Sequence, residues 1–156
     1  MSTILLTDYP WPNLEIEREI VEAAGYNLVA GPSVASDAAA IESLVTQHDP
    51  AAIMTCWSMV SAAAIGKPTA LKIVARMGVG LDNIAIEAAT RRGAWVTNVP
   101  DYCVEEVSDH AIAMVLNHFR GIMAFDREVK RGRWDPASAR LRRIATGAGC
   151  SGRSSA

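Results

Sequence analysis

The chain has 156 residues, half of them hydrophobic and 21% charged, with a formal net charge of −2. This is ordinary globular composition, with room for one domain and its core. It holds no run of eighteen apolar residues, which argues against a membrane-spanning helix and a membrane partner. Met1-Ser2-Thr3 leads directly into Ile4-Leu5-Leu6, so no secretory signal is expected. The three cysteines, Cys56, Cys103 and Cys150, lie far apart without C-x-x-C spacing. They suggest neither a disulfide framework nor a metal site, and a reduced, cytoplasmic protein is the simplest expectation. The charge is unevenly spread. Residues 1–130 carry nine Lys/Arg against sixteen Asp/Glu, whereas residues 131–156 carry six Arg against one acid.

Residues 3–7 form a short apolar run, expected as a central parallel strand. Asp8-Tyr9-Pro10-Trp11-Pro12 ends it, since neither proline can donate to a ladder. Asn13 is placed to cap a helix marked by Leu14, Ile16, Ile20, Val21 and Ala24 and closed by Gly25. Residues 26–30 read as the second strand. Ser36 or Asp37 then caps a helix with Ala40, Ile41, Leu44 and Val45 at helical spacing, ending near His48. Residues 51–56 read as the third strand, followed by Trp57-Ser58-Met59 and a helical turn through Ala64. Residues 71–77 read as the fourth strand. Ile84, Ile86, Ala88 and Ala89 mark a helix that Arg91-Arg92-Gly93 ends, and residues 94–97 read as the fifth strand. Strands alternating with helices at this pitch predict an α/β fold, with a parallel sheet and right-handed crossovers. A flavodoxin-like five-stranded order is expected for residues 1–100.

From Val104 the period changes. Val107, Ala111, Met114, Val115, His118 and Ile122 recur on one face, with Glu105 and Glu106 early and Arg127, Lys130 and Arg131 late. The pattern predicts one long helix within residues 101–133, about 28 residues and about 42 Å long, stopped by Gly132. Residues 134–156 are basic and Gly/Ser-rich and read as a disordered tail. Gly147-x-Gly149-x-x-Gly152 is literally G-x-G-x-x-G. It lacks a preceding strand, a following helix and an acidic residue further on, and is read as a chance match.

The chemistry concentrates at the fourth strand's exit, Val74-Ala75-Arg76-Met77-Gly78-Val79-Gly80-Leu81-Asp82-Asn83-Ile84. Gly78 and Gly80 remove two side chains where the backbone turns, opening its N–H groups to close approach. Arg76 adds a planar cation suited to a carboxylate. Bare amides and one arginine at a strand end make a seat for a small organic anion.

R-M-G-V-G-L-D-N-I, followed one helix and one strand later by N-V-P-x-x-x-V-E-E-V-x-D-H-A at Asn98–Ala111, resembles the D-isomer-specific 2-hydroxyacid dehydrogenases. The resemblance covers roughly Thr3 to Trp134 and is closest to the phosphoglycerate dehydrogenase and C-terminal-binding-protein branch. It implies a flavodoxin-like substrate domain. It also implies hydride transfer between NAD and a small D-2-hydroxy acid or its 2-oxo acid. Arg76 matches a substrate-contacting arginine, and Gly78, Val79 and Gly80 match a loop whose amides face the substrate carboxylate. Trp57 and Ser58 sit where the family places a second substrate loop. Val107 matches a helix position that can approach the cofactor. The family's catalytic arginine, carboxylate and histidine match nothing here, and His48, His110 and His118 fall elsewhere, so no catalytic residue is assigned. The family's aspartate at the start of the fourth helix is replaced by Ala85, with Asp82 or Asn83 as possible substitutes for the cap.

Two expectations follow from this pattern. One is the substrate-binding part of such a dehydrogenase, truncated (by a frame shift near Ile144) before its NAD-binding domain, inactive alone, and homodimeric through the 104–131 helix. The other is a non-enzymatic flavodoxin-like module for binding or dimerisation. Nucleic acid is not expected as a partner, because the basic stretch from Ile144 has no aromatic residue and matches no recognised module.

Overall fold

A computed structural model describes residues 1–134 of the chain. The expected disordered tail beyond Trp134, the frame shift near Ile144 and the G-x-G-x-x-G match lie outside the described residues. The chain divides into two units, Met1–Tyr102 and the stretch from Cys103 onward.

The first unit holds five strands and four helices: β1 Thr3–Leu6, α1 Glu15–Ala23, β2 Asn27–Ala30, α2 Ala38–His48, β3 Ala52–Thr55, α3 Ala62–Gly66, β4 Ile73–Arg76, α4 Ile86–Arg92 and β5 Trp95–Thr97. The strands run parallel in the order β2-β1-β3-β4-β5. This is the flavodoxin-like order the element pattern predicts, with its switch point between β1 and β3. Each strand is shorter than its apolar run, because only the residues in register with a neighbour join the ladder.

Alternation along the strands divides the core. Leu5, Ile53 and Val74 point to one face and pack with Ile41, Val45, Ile65 and Ala89 from α2, α3 and α4. Leu6 points to the other face and packs with Leu14, Val21 and Leu28, partly covered by Trp11 and Met77. Asp37 caps α2, its side chain accepting from the Ala40 N–H at 2.8 Å. Asn13 accepts from Glu15 N–H at 3.2 Å at the entry to α1. The helix α4 has no side-chain cap at Ala85. Asn83 does not substitute, because its Oδ1 accepts no backbone N–H among the described residues, while its Nδ2 donates to the Ser58 carbonyl at 2.8 Å.

The second unit corrects one expectation. The stretch is not one helix but two, α5 Val104–Arg120 and α6 Ile122–Lys130. Gly121 lies between them at φ 66°, a left-handed conformation that ends a helix at little cost only in glycine. Its N–H caps Asn117's carbonyl at 2.9 Å, and Asn117 Oδ1 accepts from Met123 N–H at 2.9 Å to start α6. No residue of α5 or α6 is buried. Val107, Ile112, Met114 and Val115 are all more than half exposed.

Candidate functional site

The carboxyl ends of β1, β3, β4 and β5 converge on one edge of the sheet, the place where open α/β sheets bind ligands. Arg76 is the last residue of β4, and its cationic head is half-buried there. Among the described residues it has no carboxylate partner. Its Nη1 meets only the Cys56 sulfur at 3.9 Å, and its Nε is buried without an acceptor. A guanidinium held this way retains most of its donor capacity for an incoming anion.

The loop after β4 supplies the second half. Met77 N–H still belongs to the sheet, donating to Thr55's carbonyl at 2.8 Å. The next two carbonyls are used by the end of β5. Gly78 O accepts from Val99 N–H at 3.0 Å, and Val79 O accepts from Asn98 Nδ2 at 2.7 Å. The N–H groups of Gly78, Val79 and Gly80 have no acceptor among the described residues. The loop is thus tied down by its carbonyls and leaves its donors open. A Cβ at Gly78 would lie 2.6 Å from Arg76 Nη1, so a larger residue there would displace the guanidinium from its present position.

The sequence-predicted Trp57 and Ser58 lie at the end of β3 but differ in role. Trp57 is 57% exposed beside the loop. Ser58 is fully buried, and its hydroxyl accepts from Ser36 N–H at 2.9 Å. Its carbonyl takes Thr55's hydroxyl and Asn83's amide. Ser58 therefore ties the loop to the segments that lead into α2 and α4 and has no side-chain surface left for a ligand. Val107 sits exposed on α5 and carries no polar atom.

Sequence reasoning missed Asp8. It treated this residue only as the end of the first strand, yet its carboxylate is wholly buried. Oδ1 accepts from the Thr7 hydroxyl at 2.7 Å, Cys56 N–H at 3.1 Å and Ser58 N–H at 3.2 Å. Oδ2 accepts from Trp57 N–H at 2.7 Å. Burial pushes this carboxyl's pKa up, but the hydrogen bonds from Thr7, Trp57, Cys56 and Ser58 outweigh it and hold the group below its ordinary value. Burial pushes the Cys56 thiol up, with Arg76 pulling the other way. Cys56 thus keeps an S–H to point at Met77's carbonyl, 3.8 Å away.

A cleft of about 390 Å³ opens on the other side of Arg76, lined by Trp11, Ala75, Met77, Thr97, Asn98, Val99 and Tyr102. Its walls are mainly apolar and aromatic, and Trp11 Nε1 is a second buried donor without an acceptor.

The family model for the D-isomer specific 2-hydroxyacid dehydrogenase catalytic domain matches residues 5–152. The chain is 47% identical over 64 residues to a glyoxylate reductase from Pyrococcus furiosus, spanning 41% of this chain and 19% of that protein. It is 42% identical over 85 residues to a D-3-phosphoglycerate dehydrogenase from Archaeoglobus fulgidus, spanning 54% of this chain and 16% of that protein. A solved NAD+-bound 3-phosphoglycerate dehydrogenase from Entamoeba histolytica superposes with a TM-score of 0.65 at 25% identity, over 76% of this chain and 39% of that one. The chain belongs to the D-isomer-specific 2-hydroxyacid dehydrogenase family, and it matches well under half the length of each of these relatives.

The family implies NAD, and the described residues do not by themselves fit it. A pyrophosphate needs a glycine loop opening straight into a helix N-terminus. Here the space over Gly78 holds the Arg76 guanidinium, and α4 is seven residues long and begins well past Gly80. None of the described helices is long and apolar enough to cross a membrane.

Proposed function

We propose that residues 1–102 are the substrate-binding part of an NAD-dependent D-2-hydroxyacid dehydrogenase. They seat the carboxylate of a small 2-hydroxy or 2-oxo acid in the cytoplasm. The observation that carries this reading is Arg76, a half-buried cation without a carboxylate partner among the described residues, beside three loop amides without acceptors among them. The guanidinium and the Gly78, Val79 and Gly80 N–H groups bind and orient the acid. Trp57 shields one side of it from water. Nicotinamide supplies the hydride in such enzymes, and residues 1–134 offer it no cradle, so these residues by themselves bind the acid without turning it over. Purified chain incubated with NADH and glyoxylate, hydroxypyruvate or phosphohydroxypyruvate is expected to leave NADH unchanged. Oxidation of NADH above the no-enzyme rate would overturn that part of the reading.

A second reading is favoured by the exposed apolar face of α5. Val104, Val107, Met114 and Val115 are each more than half exposed, and surfaces of this kind mark interfaces. This supports a homodimer formed through residues 104–131. A chain that sediments as a monomer at micromolar concentration would contradict it.

A further inference from the structure

We propose that Asp8, which no sequence motif marks, is the positioning residue for the anion seat, acting on Arg76 through the Cys56–Ser58 loop. The inference rests on the substrate-binding reading above and deepens it.

Strand register brings Asp8 to the turn after β3. Leu6 pairs with Met54 across β1 and β3, so the residue two positions beyond Leu6 comes level with Cys56, just past the last ladder pair. A carboxylate there meets three successive N–H groups as the β3 chain turns away from the sheet. Asp8 takes all three, from Cys56, Trp57 and Ser58, at 3.1, 2.7 and 3.2 Å. Backbone donors arranged around one anion form a rigid concavity. The usual occupant of such a nest is a ligand, whereas here it is a side chain of the protein.

The consequence reaches the seat through Cys56. Its sulfur receives Arg76 Nη1 at 3.9 Å and lies 3.8 Å from Met77's carbonyl. Fixing Cys56's backbone therefore fixes the one side-chain acceptor that the guanidinium meets among the described residues. The same grip sets the direction in which Trp57 leaves the sheet. Thr7 completes the arrangement, its hydroxyl donating to Asp8 Oδ1 at 2.7 Å. A salt bridge from Asp8 to Arg76 would have neutralised the seat. The nest instead satisfies Asp8 with neutral donors and leaves Arg76's charge for the ligand.

The test uses the full 156-residue chain, 15N-labelled, as wild type, Asp8→Asn, Cys56→Ala and the double variant, with sodium pyruvate as probe. Asn keeps one acceptor oxygen and places an NH2 against the donors. Three readouts are taken: amide hydrogen exchange at Cys56, Trp57 and Ser58, the Arg76 Nε–H resonance without ligand, and calorimetric pyruvate affinity. Asp8→Asn is expected to speed exchange at the three amides at least tenfold while β1 and β3 stay protected. It is also expected to shift or broaden the Arg76 resonance and to weaken pyruvate at least fivefold. The double variant should bind no more weakly than Asp8→Asn alone, because both changes act through one contact. Faster loop exchange with an unchanged Arg76 resonance would make Asp8 structural only and overturn the proposal, as would unchanged exchange. Absence of pyruvate binding in the wild type would refute the substrate reading, and the two ligand-free readouts would still decide the role of Asp8. Should Asp8→Asn fail to fold, Thr7→Val removes a single donor, and the same shifts, smaller in size, are expected; their absence would overturn the proposal.

Discussion

Arg76 carries the binding reading at the scale of single residues. A charged hydrogen bond is worth about 1.5–3 kcal/mol, so Arg76→Ala should weaken pyruvate by roughly ten- to a hundredfold. The fold should be little affected, because the guanidinium has no carboxylate partner within it among the described residues. Calorimetry alongside thermal denaturation checks both halves. Asp8 makes a separate prediction about pH. Its folded-state pKa lies below the unfolded carboxylate value of about 3.9. The unfolded chain therefore takes up a proton first as pH falls. The stability Asp8 contributes is fully present above that unfolded value and is lost as pH drops through the lower, folded one. Urea midpoints measured from pH 6 down to pH 3 should fall in the wild type and fall less steeply in Asp8→Asn. Asp8 was not legible in the sequence for a physical reason. Its partners in the loop after β3 lie 48 to 50 positions away and are backbone groups, which leave no residue-type signal. Ser58 was misplaced by the same blindness, since nothing in Trp57-Ser58-Met59 says that its hydroxyl turns inward to Ser36.

At the scale of elements, the sheet was the most legible part. Parallel strands covered on both faces read as unbroken apolar runs, and Thr3–Leu6, Ala52–Thr55 and Ile73–Arg76 are of that kind. Their ends were not legible, because register with a neighbouring strand sets them. The break at Gly121 was legible in principle. Arg120 followed by Gly121 repeats the cation-then-glycine stop that marks α4 at Arg92-Gly93. The apolar period ran past it through Ile122, and periodicity alone does not register a left-handed residue. Alanine at φ 66° costs on the order of 1–2 kcal/mol, and no buried residue of α5 or α6 holds the break in place. Gly121→Ala is therefore expected to straighten residues 104–130 into a single helix and raise the helical far-ultraviolet signal. An unchanged signal with lower stability would mean that packing, not the glycine, sets the break.

At the scale of the whole molecule, the fold and the anion seat belong to the same construction. Parallel order β2-β1-β3-β4-β5 brings all five carboxyl strand ends to one edge. The last residue of β4 provides the cation, the turn after it provides the amides, and the residues just past β1 and β3 hold both in place. The motif around Arg76 made this edge visible from sequence, and the family match over residues 5–152 shows the family that the same motif resembles. The apolar face of α5 is a separate feature with a separate test. The central claim, that Arg76 and the β4 loop bind the carboxylate of a small 2-oxo acid, is tested most directly by titrating the 15N-labelled chain with pyruvate. The expected result is saturable shifts of the Gly78, Val79 and Gly80 amides and the Arg76 Nε–H, all lost in Arg76→Ala. Shifts confined to other residues, or loop shifts that persist in Arg76→Ala, would contradict it.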